Sequence, residues 1–398
     1  MFTAIRVIAE SEEIMKVEQI YTLCNQISGE VLGKTDILQA DLTNVVDFGN
    51  EVIGTGNMDN YVKSLIDHIG KVAFVDRPYS GSAPSVLMDG WEFGSILEKI
   101  TMTKLPEATE NSSWKLENGK SYDTGVFTAP EVSAKFYNSL ATYEIPMSFA
   151  EKQVKSSFSS AQQMNAFFSM IQNAIETSMT VKTDGLIMDT ICSMIAETLV
   201  NYNAEGDYTG IGNNRAINLL ALYNARFTQT LTAEKCLTDP QFIRWASFMI
   251  GLYSGRMTKL STLFNIGGTE KFTSKDRLHL VMLDEFAKAS DVYLQSDTFH
   301  EQYTALPNAE TVPFWQGSGT SYEFATTSHI NIKHGTHTVD TDGILAVMFD
   351  REALGVSNLD KRVTSQYNAR GEFYNNWYKF DAGYFNDLNE NFVVFYVA

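Results

Sequence analysis

From Ser159 to Leu199 the apolar positions fall three and four residues apart: Met164, Phe168, Ile171 and Ile175, then Ile187, Ile191, Met194 and Ile195, with Thr198 continuing the row. That spacing lays one stripe along a helix. The segment has no proline, one glycine (Gly185) and five charges, so little in it would end a helix. About forty residues at 1.5 Å each would reach roughly 60 Å. A compact chain of this length is only about 55 Å across. Three readings compete. A coiled coil needs a heptad seam, and the seam meets Ser178 and Lys182 once the count passes Ile175. A break at Thr183-Asp184-Gly185 would give two ordinary helices. The third, a single long helix lying against a sheet, is the one we favour, and it implies a flat or elongated subunit.

The rest of the chain has shorter periods. "SEEIMKVEQIYTLCNQI" is amphipathic, with Ser11 placed to cap it and Glu12 and Glu13 in the first turn. "NMDNYVKSLIDHIG" predicts a second short helix closing at Gly70. Both have modest apolar faces and read as an arm that docks elsewhere. Two strand-like runs follow, "GWEFGSILEKITMTK" (Gly90–Lys104) and "VSAKFYNSLATYEIPMSF" (Val132–Phe149), rich in β-branched and aromatic residues. A polar, turn-rich stretch joins them, which predicts a long hairpin. Neither run has one clean apolar face, so the ribbon is either a surface hairpin or an arm lying across a neighbouring molecule.

Beyond the long helix, "NNRAINLLALYNARF" predicts a helix, and residues 231–350 alternate helix with strand, as in a mixed α/β domain. Residues 305–342 read as loops and an edge strand. "GEFYNNWYKFDAGY" and "NENFVVFYVA" are strands. Both faces of the second are apolar, so it is expected to be buried on both sides. We expect these two strands to pair with "TYEIPMS" and the long helix to lie across them.

Composition narrows the function. The 398 residues allow two or three domains, and 44% hydrophobic content supports a packed core. A net charge of −18 disfavours sequence-independent nucleic-acid binding. Cys24, Cys192 and Cys236 are widely spaced and odd in number, which fits reduced thiols. No signal peptide and no apolar run of membrane-spanning length is expected.

Catalytic patterns are sparse. His329, His334 and His337 in "SHINIKHGTHT" supply three imidazoles, but in no trusted zinc spacing and with no obvious nearby carboxylate or thiol. "GDYTGIGNN" sets Gly206, Gly210 and Gly212 before a helix, yet lacks the GK[ST] ending and follows a helix, so a flexible turn between domains explains it better. "FNIGGTEKF" fails the same test. Asp284 and Glu285 are expected to be solvated on a helix. Asn111 in "NSS" matters only in a secreted chain. No catalytic, cofactor or metal residue is predicted.

The order of elements, with "NVVDFGNEVIGTGNMDNYVKSLIDHIGK", "AINLLALYNARF" and "NARGEFYNNWYKFDAGYFNDLNENFVVFYVA", resembles the major capsid proteins of tailed bacteriophages, those of the Hong Kong 97-like fold. Among them it is most similar to the capsid proteins of small podoviruses of Gram-positive hosts. The resemblance implies an α+β chain. Residues 1–75 would be an N-terminal arm and 76–145 an extended hairpin loop. Residues 146–204 would be a peripheral domain with its spine helix, 205–355 an axial domain, and 356–398 the return strands of the peripheral domain. It implies a non-enzymatic protein that assembles with itself, as pentamers and hexamers, into an icosahedral or prolate shell around double-stranded DNA that it does not bind specifically. Scaffolding and portal proteins would be partners. The locations would be the host cytoplasm and then the virion. Trp91, Phe93, Trp114, Lys115, Phe127, Phe136 and Tyr137 on the extended loop are the candidate inter-subunit contacts. A C-terminal immunoglobulin-like domain carried by some relatives is not expected, nor is a fused scaffold. Lys115 and Lys120 lack any mark of a covalent cross-link. The alternatives are an encapsulin-like compartment of the same fold, or a metal-dependent enzyme using the three histidines.

Overall fold

The computed structural model describes residues 17–33, 60, 83–88, 96–102, 105–106, 108, 110, 115–121, 125, 127, 129–150, 161–295, 309–317 and 321–398. Among them the strands are β1 (Leu87–Met88), β2 (Leu97–Met102), β3 (Val132–Tyr137), β4 (Leu140–Ala150), β5 (Ala216–Asn218), β6 (Leu278–Leu283) and β7 (Ala309–Val312). They continue with β8 (Ile330–His334), β9 (His337–Thr341), β10 (Ile344–Asp350), β11 (Leu354–Asn368), β12 (Phe373–Asn386) and β13 (Phe392–Tyr396). The main helices are Val17–Leu32, Ala161–Tyr202, Leu219–Phe227, Pro240–Met257 and Asp284–Gln295. The chain is thus α+β. Contacts divide it into two units, one of Met1–Gly81, Ala141–Thr183 and Leu359–Ala382, the other of Ser82–Leu140, Asp184–Asn358 and Gly383–Ala398.

The long helix is one uninterrupted element of 42 residues. It runs through Gly185, where a Cβ would meet nothing within 4 Å. The favoured single helix is therefore present and the alternative break at Thr183-Asp184-Gly185 is absent: one helical glycine costs only about 1 kcal/mol, and its neighbours supply the packing. Within the first unit, Ile171, Ile175, Met179 and Thr183 are buried in steps of four, while Val181 and Lys182 are exposed. Within the second unit ten of the fourteen positions from Leu186 to Leu199 are buried. The buried hydroxyls of Thr183, Thr190 and Thr198 donate to the carbonyls of Met179, Leu186 and Met194 at 3.0, 2.7 and 2.8 Å, so none is left unsatisfied.

In the first unit, β4 is an edge strand lying beside β12. Pro146 is tolerated there because an edge strand can spare an N–H. One face is apolar, with Tyr143 stacked 5.0 Å from Phe380. The other is a polar ladder: the Thr142 hydroxyl donates to Asp381 at 2.6 Å, Lys379 meets Glu144 at 3.2 Å, and the Ser148 hydroxyl lies 2.6 Å from Asn375 Oδ1. "TYEIPMS" therefore does lie beside "GEFYNNWYKFDAGY".

The closing strand does not join them. In the second unit β13 enters a five-stranded sheet ordered β5-β13-β10-β6-β7. It runs parallel to β5 (Val394↔Ala216) and antiparallel to β10 (Val347↔Val394). The expected hairpin of β12 with β13 is thus corrected. A strand apolar on both faces needs cover on both faces, and only a sheet centre offers that. Every residue of β10 and β13 is buried. Trp315 anchors the long helix to this sheet: its indole N–H donates to Ile344 O at 2.8 Å, and its carbonyl accepts from the Cys192 thiol at 3.4 Å. Asn218 ends β5 and caps the next helix. Its Oδ1 accepts from Ala221 N–H at 3.0 Å, and its Nδ2 donates to the carbonyls of Tyr208 and Ala398, each at 3.2 Å.

All three cysteines are unbridged and buried. Burial raises the Cys192 thiol well above its ordinary range and pushes Cys236 up to about 12. Native protein at pH 8 should therefore give almost no fast reaction with an aromatic disulfide reagent, and all three thiols should react once it is unfolded. A fast native thiol would contradict this packing.

Candidate assembly surface

β2 and β3 form an antiparallel ribbon with Leu97 opposite Tyr137, Lys99 opposite Lys135 and Met102 opposite Val132. Alternation then sorts its residues by face. Leu97, Lys99, Thr101, Ser133, Lys135 and Tyr137 turn inward, while Glu98, Ile100, Met102, Val132, Ala134 and Phe136 turn outward. This inverts the usual arrangement. The two lysines point in, and four large apolar side chains point out. Ile100 and Phe136 are each 65% exposed.

The inward face is held by charge. Lys99 Nζ lies 2.9 Å from Asp387 Oδ2 and 3.2 Å from Glu390 Oε1, and Lys135 Nζ lies 2.8 Å from Asp387 Oδ1. The Asp387 side chain is only 2% exposed. Burial alone would raise its carboxyl, but the hydrogen bonds from Lys135 and Lys99 outweigh that and hold it at about 2. Asp387 is therefore ionised at neutral pH. Breaking such a buried pair costs about 3–5 kcal/mol.

The expected contact residues separate accordingly. Trp91, Phe93 and Trp114 lie outside the described residues. Lys115 is exposed, and Phe127, at 88%, is more exposed still. Phe136 lies on the outward face. Tyr137 lies on the other face, because strand alternation turns it inward, where its ring meets Phe385 at 5.0 Å. Burial, then the Asp387 and Glu390 carboxylates, raise its phenol. The sequence reading missed Ile100, Met102 and Val132, which complete the apolar face. The signal was the alternation in "LEKITM" and "VSAKFY", which names a face only once the register is known.

The other candidate chemistry does not assemble. His329 Nδ1 meets Asp342 at 2.6 Å, whereas His334 and His337 pair at the opposite end of the β8–β9 hairpin. Among the described residues no group of three His, Cys, Asp or Glu could hold a metal ion, and no helix is long and apolar enough to cross a membrane. Gly212 is no flexible turn: at φ 91°, a Cβ there would sit 2.0 Å from the Ala216 carbonyl oxygen. Glu285 is not merely solvated, since it accepts from the Thr327 hydroxyl at 2.8 Å.

The family comparison is decisive. The model of the Phi29-like phage major capsid protein family matches residues 22–396. The chain belongs to that family. It is a phage major capsid protein, and as such it self-associates into the viral shell. No curated protein matches it. Among solved structures, the capsid of Staphylococcus phage Andhra superposes with a TM-score of 0.47 at 10% identity, over 82% of this chain and 87% of that one. A structure of native bacteriophage P68, of its head fiber and inner core protein, gives 0.49 at 10% identity over 82% and 86%. The capsid of cyanophage P-SCSP1u gives 0.43 at 10% identity over 82% and 93%. Superpositions at this level carry no weight of their own, so the identification rests on the family model. Neither the encapsulin nor the enzyme alternative finds support in any of these comparisons.

Proposed function

We propose that this capsid protein has the Hong Kong 97-like architecture and forms an icosahedral or prolate shell of pentamers and hexamers around double-stranded DNA. The proposed division is an arm at 1–75, an extended loop at 76–145, a peripheral domain at 146–204 with return strands at 356–398, and an axial domain at 205–355. The observation that carries the reading is the ribbon β2–β3. A lone soluble protein has little reason to turn Ile100, Met102, Val132 and Phe136 to water, whereas a subunit that lays this face on its neighbour buries them on assembly. Heterologous contacts of this kind repeat around a closed shell, and each can be weak because every copy makes several.

The remaining parts follow from that role. A scaffolding protein and a portal protein assist assembly in the host cytoplasm, and the finished protein resides in the virion without enzymatic activity. The acidic chain lets packaged DNA pass without sticking, since it carries no surplus of cations to exchange for counterions.

Electron microscopy of the expressed protein, alone and with its scaffold, tests this reading. Full-length protein should form closed shells, and a variant with residues 108–128 replaced by a short turn should stay folded but unassembled. Normal shells from the trimmed variant would remove the ribbon's reaching role.

A further inference from the structure

The inward face of the ribbon meets a turn that shell formation does not itself explain. Asp387–Asn391 joins β12 to β13, and contacts reach it from three other parts of the second unit. The ribbon sends Lys99 and Lys135 to opposite oxygens of Asp387 at 2.9 and 2.8 Å, and Lys99 continues to Glu390 at 3.2 Å and to the Glu352 carbonyl at 2.9 Å. The loop 258–273 sends Lys271 to the same Glu390 oxygen at 2.8 Å. From that loop, Gly267 N–H donates to Leu388 O and the Thr269 hydroxyl to Asn389 O, each at 2.8 Å. The connection after β10 accepts the Asp387 N–H at the Ala353 carbonyl, 2.7 Å away. Gly267 comes so close that a Cβ there would lie 1.9 Å from Asn389 Oδ1.

Three physical points single this turn out. Lys99 and Lys135 are directly opposed across the ribbon, a like-charge pairing that is unfavourable unless an anion lies between them. Asp387 is that anion, and it is almost wholly buried. Most of the ribbon's large apolar side chains also face outward and so do not attach it. Its inward contacts are mainly ionic, with Leu97 and Tyr137 as the apolar share. Finally, buried ion pairs add little net stability over apolar packing but are directional, so their use here favours fixing an orientation.

We propose that the Asp387–Asn391 turn is a charge latch for the ribbon: Asp387 grips Lys99 and Lys135, Glu390 grips Lys99, and together they set the direction in which β2–β3 projects. Asp387 is a positioning residue on this account. The latch does not depend on what the outward face meets.

Hydrogen exchange of the unassembled full-length protein, read by mass spectrometry, tests the latch separately from assembly. In Asp387→Asn, peptides covering 97–102 and 132–137 should exchange at least about tenfold faster, while β10 and β13 keep their protection. Adding Lys135→Met to Asp387→Asn should accelerate the ribbon no further, because both changes open the same contact. Unchanged ribbon exchange, equal acceleration in β10 and β13, or additive effects would each overturn the proposal. If Asp387→Asn does not accumulate as folded protein, Lys135→Met alone serves, since its ammonium is about one-third exposed and its loss is milder. A smaller rise confined to the ribbon is then expected, and no rise overturns the latch.

Discussion

The capsid protein carrying Ile100→Ser and Phe136→Ser together is expected to fold normally and to form no closed shells. Register places Ile100 opposite Ala134 and Phe136 opposite Glu98, so the two changed side chains are diagonal neighbours on one face. Both are already 65% exposed in the subunit, so replacing them costs folding little. Against a neighbour, each would bury surface that stabilises the contact by about 1.5–3 kcal/mol. The loss recurs in every copy, and a shell held by many weak contacts multiplies it. Circular dichroism and the thermal midpoint should stay near wild type, while sedimentation shows only small species. Shells of normal yield from the double variant would show that this face is not an assembly contact.

Gly212→Ala should act in the opposite way, unfolding the subunit with no direct effect on any contact. Gly212 has φ 91°, and an added Cβ would stand 2.0 Å from the Ala216 carbonyl oxygen and 3.1 Å from the Asn218 nitrogen. Both are backbone atoms at β5, which pairs with the buried strand β13, so neither can move aside cheaply. The left-handed backbone costs about 1–2 kcal/mol for a residue with a Cβ, and the clash adds about 1–3 kcal/mol. A fall in the thermal midpoint of several degrees, on the order of 5–15 °C, is expected. Gly206→Ala is the control. It too has positive φ, at 85°, but an added Cβ meets nothing within 4 Å, so only the backbone term should appear. Equal shifts in the two variants would mean that the contact with Ala216 contributes nothing.

These two positions also show how far the sequence could be read. The long helix was legible because its apolar stripe recurs in steps of three and four, and Gly185 could not interrupt it. β13 was legible as a strand buried on both faces, since "FVVFY" has no polar position. Its partners were not, because chain proximity favours β12 while the space for a doubly buried strand lies between β5 and β10. β11 was missed altogether, because "LGVSNLDKRVTSQYN" mixes charges into a strand whose outer half alternates between half-buried and exposed positions. On the ribbon, Phe127 and Phe136 could be nominated by type, but Tyr137 is their chemical equal and faces the other way. Only the register separates them. Asp387 gave no signal at all: its partner Lys135 lies 252 positions upstream, and Lys99 lies farther still.

The placement of β13 has one further consequence. The place between β5 and β10 in the five-stranded sheet is filled by residues 392–396, which follow both of those strands in the chain. A nascent chain paused before that point leaves β5 and β10 without the strand they share. Unpaired strand edges invite pairing with other chains. Translation must pass Tyr396 before this sheet can close, so a product interrupted earlier lacks the strand that joins β5 to β10.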